Sequence, residues 1–399
     1  MKNVLLILGF IFMFSCTKQE DSQNVNVDIN SVVTLTDKQN QFAWDVFQEE
    51  LKKGENKNIL ISPLSIQTAL TMAVNGAGGK TLEEMKKMLY SDNYTNEDLN
   101  KLYQSMIEIL TQKSGHPTLL FENGYFYDLA RITVKENFKK VLKDHYDCIF
   151  EEENFSDADG AKNNINAWVE EKTNGKIDKI VEAIKPLDVA FLINALYFKA
   201  DWANGFSQDL TYQANFNKAD GKEFLTKFVN ADRNFSYAVN DKFIMADIPF
   251  KDSTYSVSFI SRKNDYSTPP DVNDYKKLLE QVKYDRAFVA FPKMKLEYKT
   301  GLIPSLQNLG MLEAFKPYTA DFSTMGTSTL GNIYISQVEH KSVLEIDEKG
   351  AEGAAVTSIG FSVTSAPPSL IFDHPYFLVL RHIGTGSIIF MGYVGYEMN

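Results

Sequence analysis

The chain has 399 residues and a formal net charge of -11, with 44% hydrophobic and 13% aromatic residues. This composition suits a thoroughly folded α+β protein, and without a basic stripe to neutralise phosphates it excludes nucleic acid as a partner. The two cysteines, Cys16 and Cys148, leave no pair for a disulfide in the mature fold.

The N-terminus reads as an export signal. Lys2 precedes an apolar run from Val4 to Phe14, too short to span a membrane, and Ser15-Cys16 closes it. The cysteine directly after the run makes residues 1–15 resemble a bacterial lipoprotein signal, with Cys16 lipidated as the mature N-terminus. Met13 departs from the aliphatic residue preferred three positions before that cysteine, so a plain signal peptide cut elsewhere is the alternative. Residues 16–35 are polar at first and lack an apolar period, as in a flexible tether. The protein is therefore expected at the cell envelope, at the outer membrane or the cell surface.

Residues 36–399 read as one domain, because no linker, charge block or internal repeat divides them. The first half is helix-rich. Asp37 to Leu51 carries Phe42, Val46 and Phe47 at helical spacing. Ser62-Pro63 starts another helix, with the serine as cap and the proline in the first turn. Thr81-Leu82-Glu83-Glu84 has capping-box character. After Asp188 the chain turns strand-rich: Val189 to Phe198, Phe243 to Pro249, Ser256 to Ile260, Ala287 to Phe291, Tyr376 to Leu380 and Ser387 to Val394. Cys148 reads as a small hydrophobe in a strand.

Catalytic signatures are missing from the sequence. Asn75-Gly76-Ala77-Gly78-Gly79-Lys80-Thr81 is half a phosphate loop, with Val74 where the first glycine belongs, and reads as a helix end before a helix start. There is no GxSxG or HExxH, and the five histidines lack metal-ligand spacing. No enzyme, metal or cofactor is expected.

The run Glu345-Ile346-Asp347-Glu348-Lys349-Gly350-Ala351-Glu352-Gly353-Ala354-Ala355-Val356 is written as both strand and loop. Every second residue from Ala351 is small or apolar: Ala351, Gly353, Ala355, Thr357, Ile359, Phe361, Val363. The intervening set from Glu352 to Thr364 is mostly small or polar, which is the period-two pattern of a half-buried strand. Yet Pro367-Pro368 follows at once and favours an exposed, extended connection.

Several blocks together resemble the serpin family over residues 36 to 398. Asn58 to Ile66 is similar to the start of the family's second helix, and Phe191 to Trp202 to its third central strand. Phe291 to Tyr298, His340 to Gly350, Phe372 to Phe377 and Phe390 to Gly392 match in order, with Tyr376 replacing the usual phenylalanine. The resemblance implies an α+β serpin fold of three β-sheets, about eight or nine helices and an exposed reactive-centre loop. It implies a suicide-type inhibitor, acting as a monomer, of serine and also cysteine endopeptidases.

By that resemblance Glu348 lies at the hinge base and the bait bond follows seventeen residues, Glu348 through Thr364. The reactive bond is then Thr364-Ser365, with Val363 the second choice. Attack on the Thr364 carbonyl gives an acyl-enzyme, and the freed loop inserts into the central sheet before water releases it. Seventeen extended residues reach about 55 Å, against a domain diameter of about 50 Å, so the bound protease crosses the molecule. The hinge residues Gly350, Ala351, Glu352, Gly353, Ala354, Ala355 and Val356 must pass into the sheet without clashes, and Val356 is bulkier than the family's usual residue. The resemblance also implies that Ser62, Ser65, Asn194 and His340 form a polar cluster beneath the sheet, and that Trp202 packs where the loop enters. Val363 and Thr364 suit an elastase-like pocket, and Phe361 a chymotrypsin- or subtilisin-like one. The alternative is a non-inhibitory serpin, a binding or structural module at the cell envelope.

Overall fold

A computed structural model describes residues 29–55, 57–111, 118–266, 268–351 and 367–398. The signal, Cys16, Glu352 to Val356, Val363, Thr364 and Ser365 lie outside the described residues. Eight α-helices are present among those described: α1 (Ile29–Lys52), α2 (Pro63–Val74), α3 (Gly79–Met88), α4 (Asn96–Leu110), α5 (Glu136–Tyr146), α6 (Ala158–Lys172), α7 (Val272–Glu280) and α8 (Ile303–Asn308). The first strands are β1 (Ile59–Ile61), β2 (Thr118–Tyr127), β3 (Ile132–Val134), β4 (Ile149–Glu152), β5 (Ala190–Asp201), β6 (Tyr212–Asn217), β7 (Glu223–Val239), β8 (Phe243–Pro249) and β9 (Tyr255–Arg262). They are followed by β10 (Lys283–Pro292), β11 (Met294–Gly301), β12 (Gly326–Ser328), β13 (Glu339–Ile346), β14 (Gly350–Ala351), β15 (Ser369–Ile371), β16 (Tyr376–His382) and β17 (Ile388–Val394).

A nine-stranded sheet runs β1-β17-β16-β9-β8-β7-β10-β15, with β6 also on β7, and the length of β7 makes one sheet of two strand groups. The central sheet lies in two pieces. One is β14-β5-β2-β4 and the other is β11-β13. A small β12-β3 pair closes the set. Most apolar side chains join one core between the sheets and the N-terminal helices. A second cluster, built on Phe126, Ile165, Val169, Ile177 and Phe191, glues α6 to the opposite face of β2 and β5.

Local chemistry sets several boundaries. Ser62 caps α2 as expected, its hydroxyl accepting from Ser65 N–H at 3.3 Å. The folded body starts earlier than residue 36. α1 extends back to Ile29, and Val32 and Leu35 of the supposed tether are fully buried. Thr81 is not the cap of α3; Gly78 holds that position, and the Thr81 hydroxyl instead accepts from Asp321 N–H at 2.9 Å. Cys148 is buried as a small hydrophobe, but it sits one residue before β4 rather than inside it. The stretch from Asn75 to Gly78 joins α2 to α3.

Candidate functional site

Among the described residues no ladder joins β5 to β13, so the central sheet is split between them. On β5 the even-numbered residues Leu196, Phe198 and Ala200 face the main core, while Phe191 and Ile193 face α6. On β13 the buried residues His340, Ser342, Leu344 and Ile346 share the core face, and Lys341, Val343 and Glu345 the other. Both edges of the split are thus built to flank one more strand.

That strand has already begun at the upper end. Gly350 and Ala351 pair antiparallel with Asp201 and Ala200. Asp347 N–H donates to Gly350 O at 3.1 Å, so the same residues make a hairpin with the end of β13. Gly350 has φ of 145°, and a Cβ there would sit 2.2 Å from Ala200 O, so glycine is required. Ala351 is 2% exposed and packs in the core.

The turn beneath is clamped. Trp202 stacks on Phe250 at 4.6 Å between ring centroids, and its Nε1–H donates to Asp347 O at 2.8 Å. Its backbone N–H donates to Lys349 O, and Phe206 N–H to Glu348 O, both at 2.8 Å. Trp202 therefore holds the turn by hydrogen bonds as well as by packing. The buried Glu348 carboxylate accepts from Thr211 Oγ1 at 2.8 Å and pairs with Lys293 Nζ at 3.1 Å. Burial pushes its pKa up, but its own backbone N–H, Thr211 and Lys293 outweigh this and hold the carboxyl below its ordinary value.

Halfway down the split lies a buried polar cluster. His340 Nε2 is 3.0 Å from Ser62 N–H and 2.7 Å from Ser342 Oγ. An amide N–H can only donate, so Nε2 accepts and the ring proton sits on Nδ1. Burial pushes the His340 pKa down to about 4, against a smaller opposing pull from Glu50, so the ring is neutral. Asn194 turns its Nδ2 toward β2, donating to Asn123 Oδ1 at 2.9 Å, while its buried Oδ1 has no partner among the described residues. Ser65 Oγ reaches Asn194 O only at 3.5 Å. From the cluster downward a cavity of about 190 Å³ follows the split, lined by Ser62, Asn194 and His340 and then by Leu192, Val338, Ala190 and Ser336 among others.

The structure brings Ser62, Ser65, Asn194 and His340 together, and separately Trp202, Glu348, Gly350 and Ala351. Sequence reading did not single out Ser342, Asn123, Thr211 or Lys293 as members of these groups. Ser342 and Lys293 lie inside the blocks quoted for the resemblance. Thr211 and Asn123 carry no local signal, since each is defined by a residue more than seventy positions away.

An open central sheet, with the chain re-entering at the opening as a nascent strand, defines the class of fold. The model of the serpin (serine protease inhibitor) family matches residues 37–396. An uncharacterised serpin-like protein of Thermococcus kodakarensis is 30% identical over 365 residues, covering 88% of this chain and 83% of that one. The leukocyte elastase inhibitor of Xenopus laevis is 28% identical, with 88% and 96% covered. The thermophilic serpin tengpin in its native state superposes with a TM-score of 0.82 at 29% identity, covering 93% of this chain and 95% of that one. Its latent state gives 0.77 at 27% identity, with 92% and 98% covered. The chain belongs to the serpin family, and the expected α+β serpin fold is the one observed.

The neutral His340 makes the polar cluster acid-sensitive. Its folded pKa lies below the ordinary 6.5, so between pH 6.5 and 4 the unfolded chain binds the extra proton. Stability is therefore full above pH 6.5 and falls as pH drops toward 4, by roughly a few kcal/mol from this group. Melting curves across that window should show a shallower pH slope in His340→Asn than in the wild type. Equal slopes would place the acid sensitivity elsewhere, with His382, which burial also pushes down to about 4, as the next group to replace.

Proposed function

We propose that this serpin is a suicide-type inhibitor of serine and cysteine endopeptidases, trapping the acyl-enzyme by inserting its cleaved loop into the split. The observation that carries the reading is the register at the top of the split. The ladder of β14 with β5 pairs residues whose numbers sum to 551, and the hairpin with β13 pairs residues summing to 697. Carried forward, both rules bring Thr357 between Asn194 and His340. Its hydroxyl would then donate to the unpaired Asn194 Oδ1. The ladder with β5 and the turn hydrogen bond after β13 converge on one threonine and one buried acceptor.

The same register accounts for the graded size of the loop. Gly353 would meet Phe198 and Leu344 above the cavity, where the core is already filled. Ile359 would meet Leu192 and Val338, and Phe361 would meet Ala190 and Ser336, all of them lining the cavity. Small residues thus enter first and large ones last, into the space available. Glu352 would fall on the opposite face, beside Lys199 and Glu345, where a carboxylate stays solvated.

The bait bond is Thr364-Ser365, with Val363 as second choice. Small β-branched residues before it favour an elastase-like target, as does the similarity to the leukocyte elastase inhibitor. A chymotrypsin- or subtilisin-like protease reading Phe361 is the other target class. The domain acts as a monomer, held at the outer membrane or cell surface through a lipid on Cys16.

Purified protein mixed with an elastase-like protease should give an SDS-resistant adduct and release a C-terminal fragment starting at Ser365. Gly353→Arg would press a cation against Phe198 and Leu344, at a cost of several kcal/mol unless paired. That variant should be cut without trapping, turning inhibitor into substrate. A wild type that is only ever cleaved points instead to a non-inhibitory binding module, and an arginine variant that traps as well as wild type contradicts insertion.

For the anchor, globomycin or Cys16→Ala should leave unprocessed or soluble protein. An unchanged membrane fraction after Cys16→Ala rules out lipidation at this residue.

A further inference from the structure

Helix α2, packed between β5 and β17, is buried at every position but one. The exception is Ala69, in the middle of the helix and yet partly exposed. Ala73 stands one turn further on, so the two alanines share a face. These short side chains leave room, and the cavity that starts at the polar cluster extends to them. On its inner side Ala69 is joined by Leu70, Ala73, Tyr125 and Met325 of the main core. On its outer side Ile177, Ile180 and Val181 belong to the second apolar cluster.

Tyr125 gives this space a chemistry. It sits on β2 beside Leu192 of β5, two residues along from the pair Asn123 and Asn194 and on the same face. Phe138, Phe150 and Tyr127 fix its ring, with centroids 5.7, 5.2 and 5.8 Å away. Its hydroxyl is fully buried and has no partner among the described residues. Burial pushes its pKa up, so the group stays protonated and keeps a proton to donate. A buried donor without an acceptor is costly, so a molecule that brings an acceptor is preferred to a plain hydrocarbon.

We propose that the cavity is a binding site for one small, uncharged phenol recognised by Tyr125. Size sets the first limit. The volume of about 190 Å³ exceeds the roughly 150 Å³ that takes a benzene ring and falls short of the roughly 300 Å³ at which drug-sized pockets begin. One ring with a small substituent fits. Charge sets the second limit. Among the described lining residues the cation is Lys341, and Asp178 and Glu297 already pair with it. A carboxylate or phosphate would therefore enter uncompensated. A phenol oxygen would accept from Tyr125 Oη–H, and Asn194 Oδ1, in the same cavity, is the acceptor on offer for the phenol's own proton. In the register proposed above, Ile359 would enter the row of Tyr125 and Leu192, so a bound phenol and an inserted strand exclude one another. That consequence rests on the insertion reading; the site does not.

Calorimetry on the uncut protein uses three one-ring probes: phenol, toluene and benzoate. Phenol should bind one to one, toluene more weakly and benzoate not at all. Tyr125→Phe keeps the ring and removes the hydroxyl, so it should weaken phenol about fivefold to tenfold and leave toluene unchanged. Ala69→Leu fills the inner side and should weaken both by about tenfold or more. Equal phenol affinity in Tyr125→Phe overturns the hydroxyl as the recognising group. Binding that ignores Ala69→Leu, or no binding of phenol and toluene at millimolar concentration, overturns the site. Protein cut within residues 357–364 is a separate arm. Loss of phenol binding supports the shared space, and retained binding overturns the exclusion while leaving the site standing.

Discussion

Two parallel-running strand edges, of β5 and β13, face each other with no ladder between them among the described residues, and the rest of the molecule is arranged around that gap. A buried edge leaves backbone N–H and C=O groups without partners, each costing about 1 kcal/mol or more, so it persists only where something keeps a partner out. Closing β5 directly onto β13 would satisfy some of these groups. It would also displace the β14 hairpin that already uses the top of both edges. The top of the split is therefore held open by β14.

Different forces act at each level of the split. At the top, a buried carboxylate, an indole N–H and a glycine that cannot be replaced fix the turn geometrically. In the middle, a neutral histidine and an asparagine whose buried oxygen has no partner among the described residues make a polar layer. At the bottom, the cavity lies beneath the segment 173–188, which pairs by charge with β11 and β13. Geometry, hydrogen bonding and charge pairing respond to different conditions, and the buried neutral His340 makes the middle level the acid-sensitive one.

Much of this was legible in the sequence, for physical reasons. The Ser62-Pro63 cap and the α2–α3 junction are local patterns, set by one helix turn. Gly350 could be read as small but not as obligatory, because its φ depends on how β14 meets β5. The N-terminal boundary was misjudged since Val32 and Leu35 are apolar islands in a polar stretch, and only the fold shows what they pack against. Thr81 looked like a cap, yet Asp321, far along the chain, claimed its hydroxyl. Some ion pairs were illegible: Asp178 and Glu182 look like solvated charges until Lys341 and Lys299 are brought above them by the sheet. Residues whose role is defined by neighbours in sequence were found, and those defined by the crossing of distant segments were not.

The register of the inserted strand can be observed directly, by solving the structure of the protein cut at the bait bond. The expected result is one new strand between β5 and β13, antiparallel to both, with Thr357 opposite Asn194 and His340 and its hydroxyl on Asn194 Oδ1. A cut protein in which β5 and β13 remain apart, or in which the new strand is shifted by one residue so that Glu352 faces the core, would contradict it.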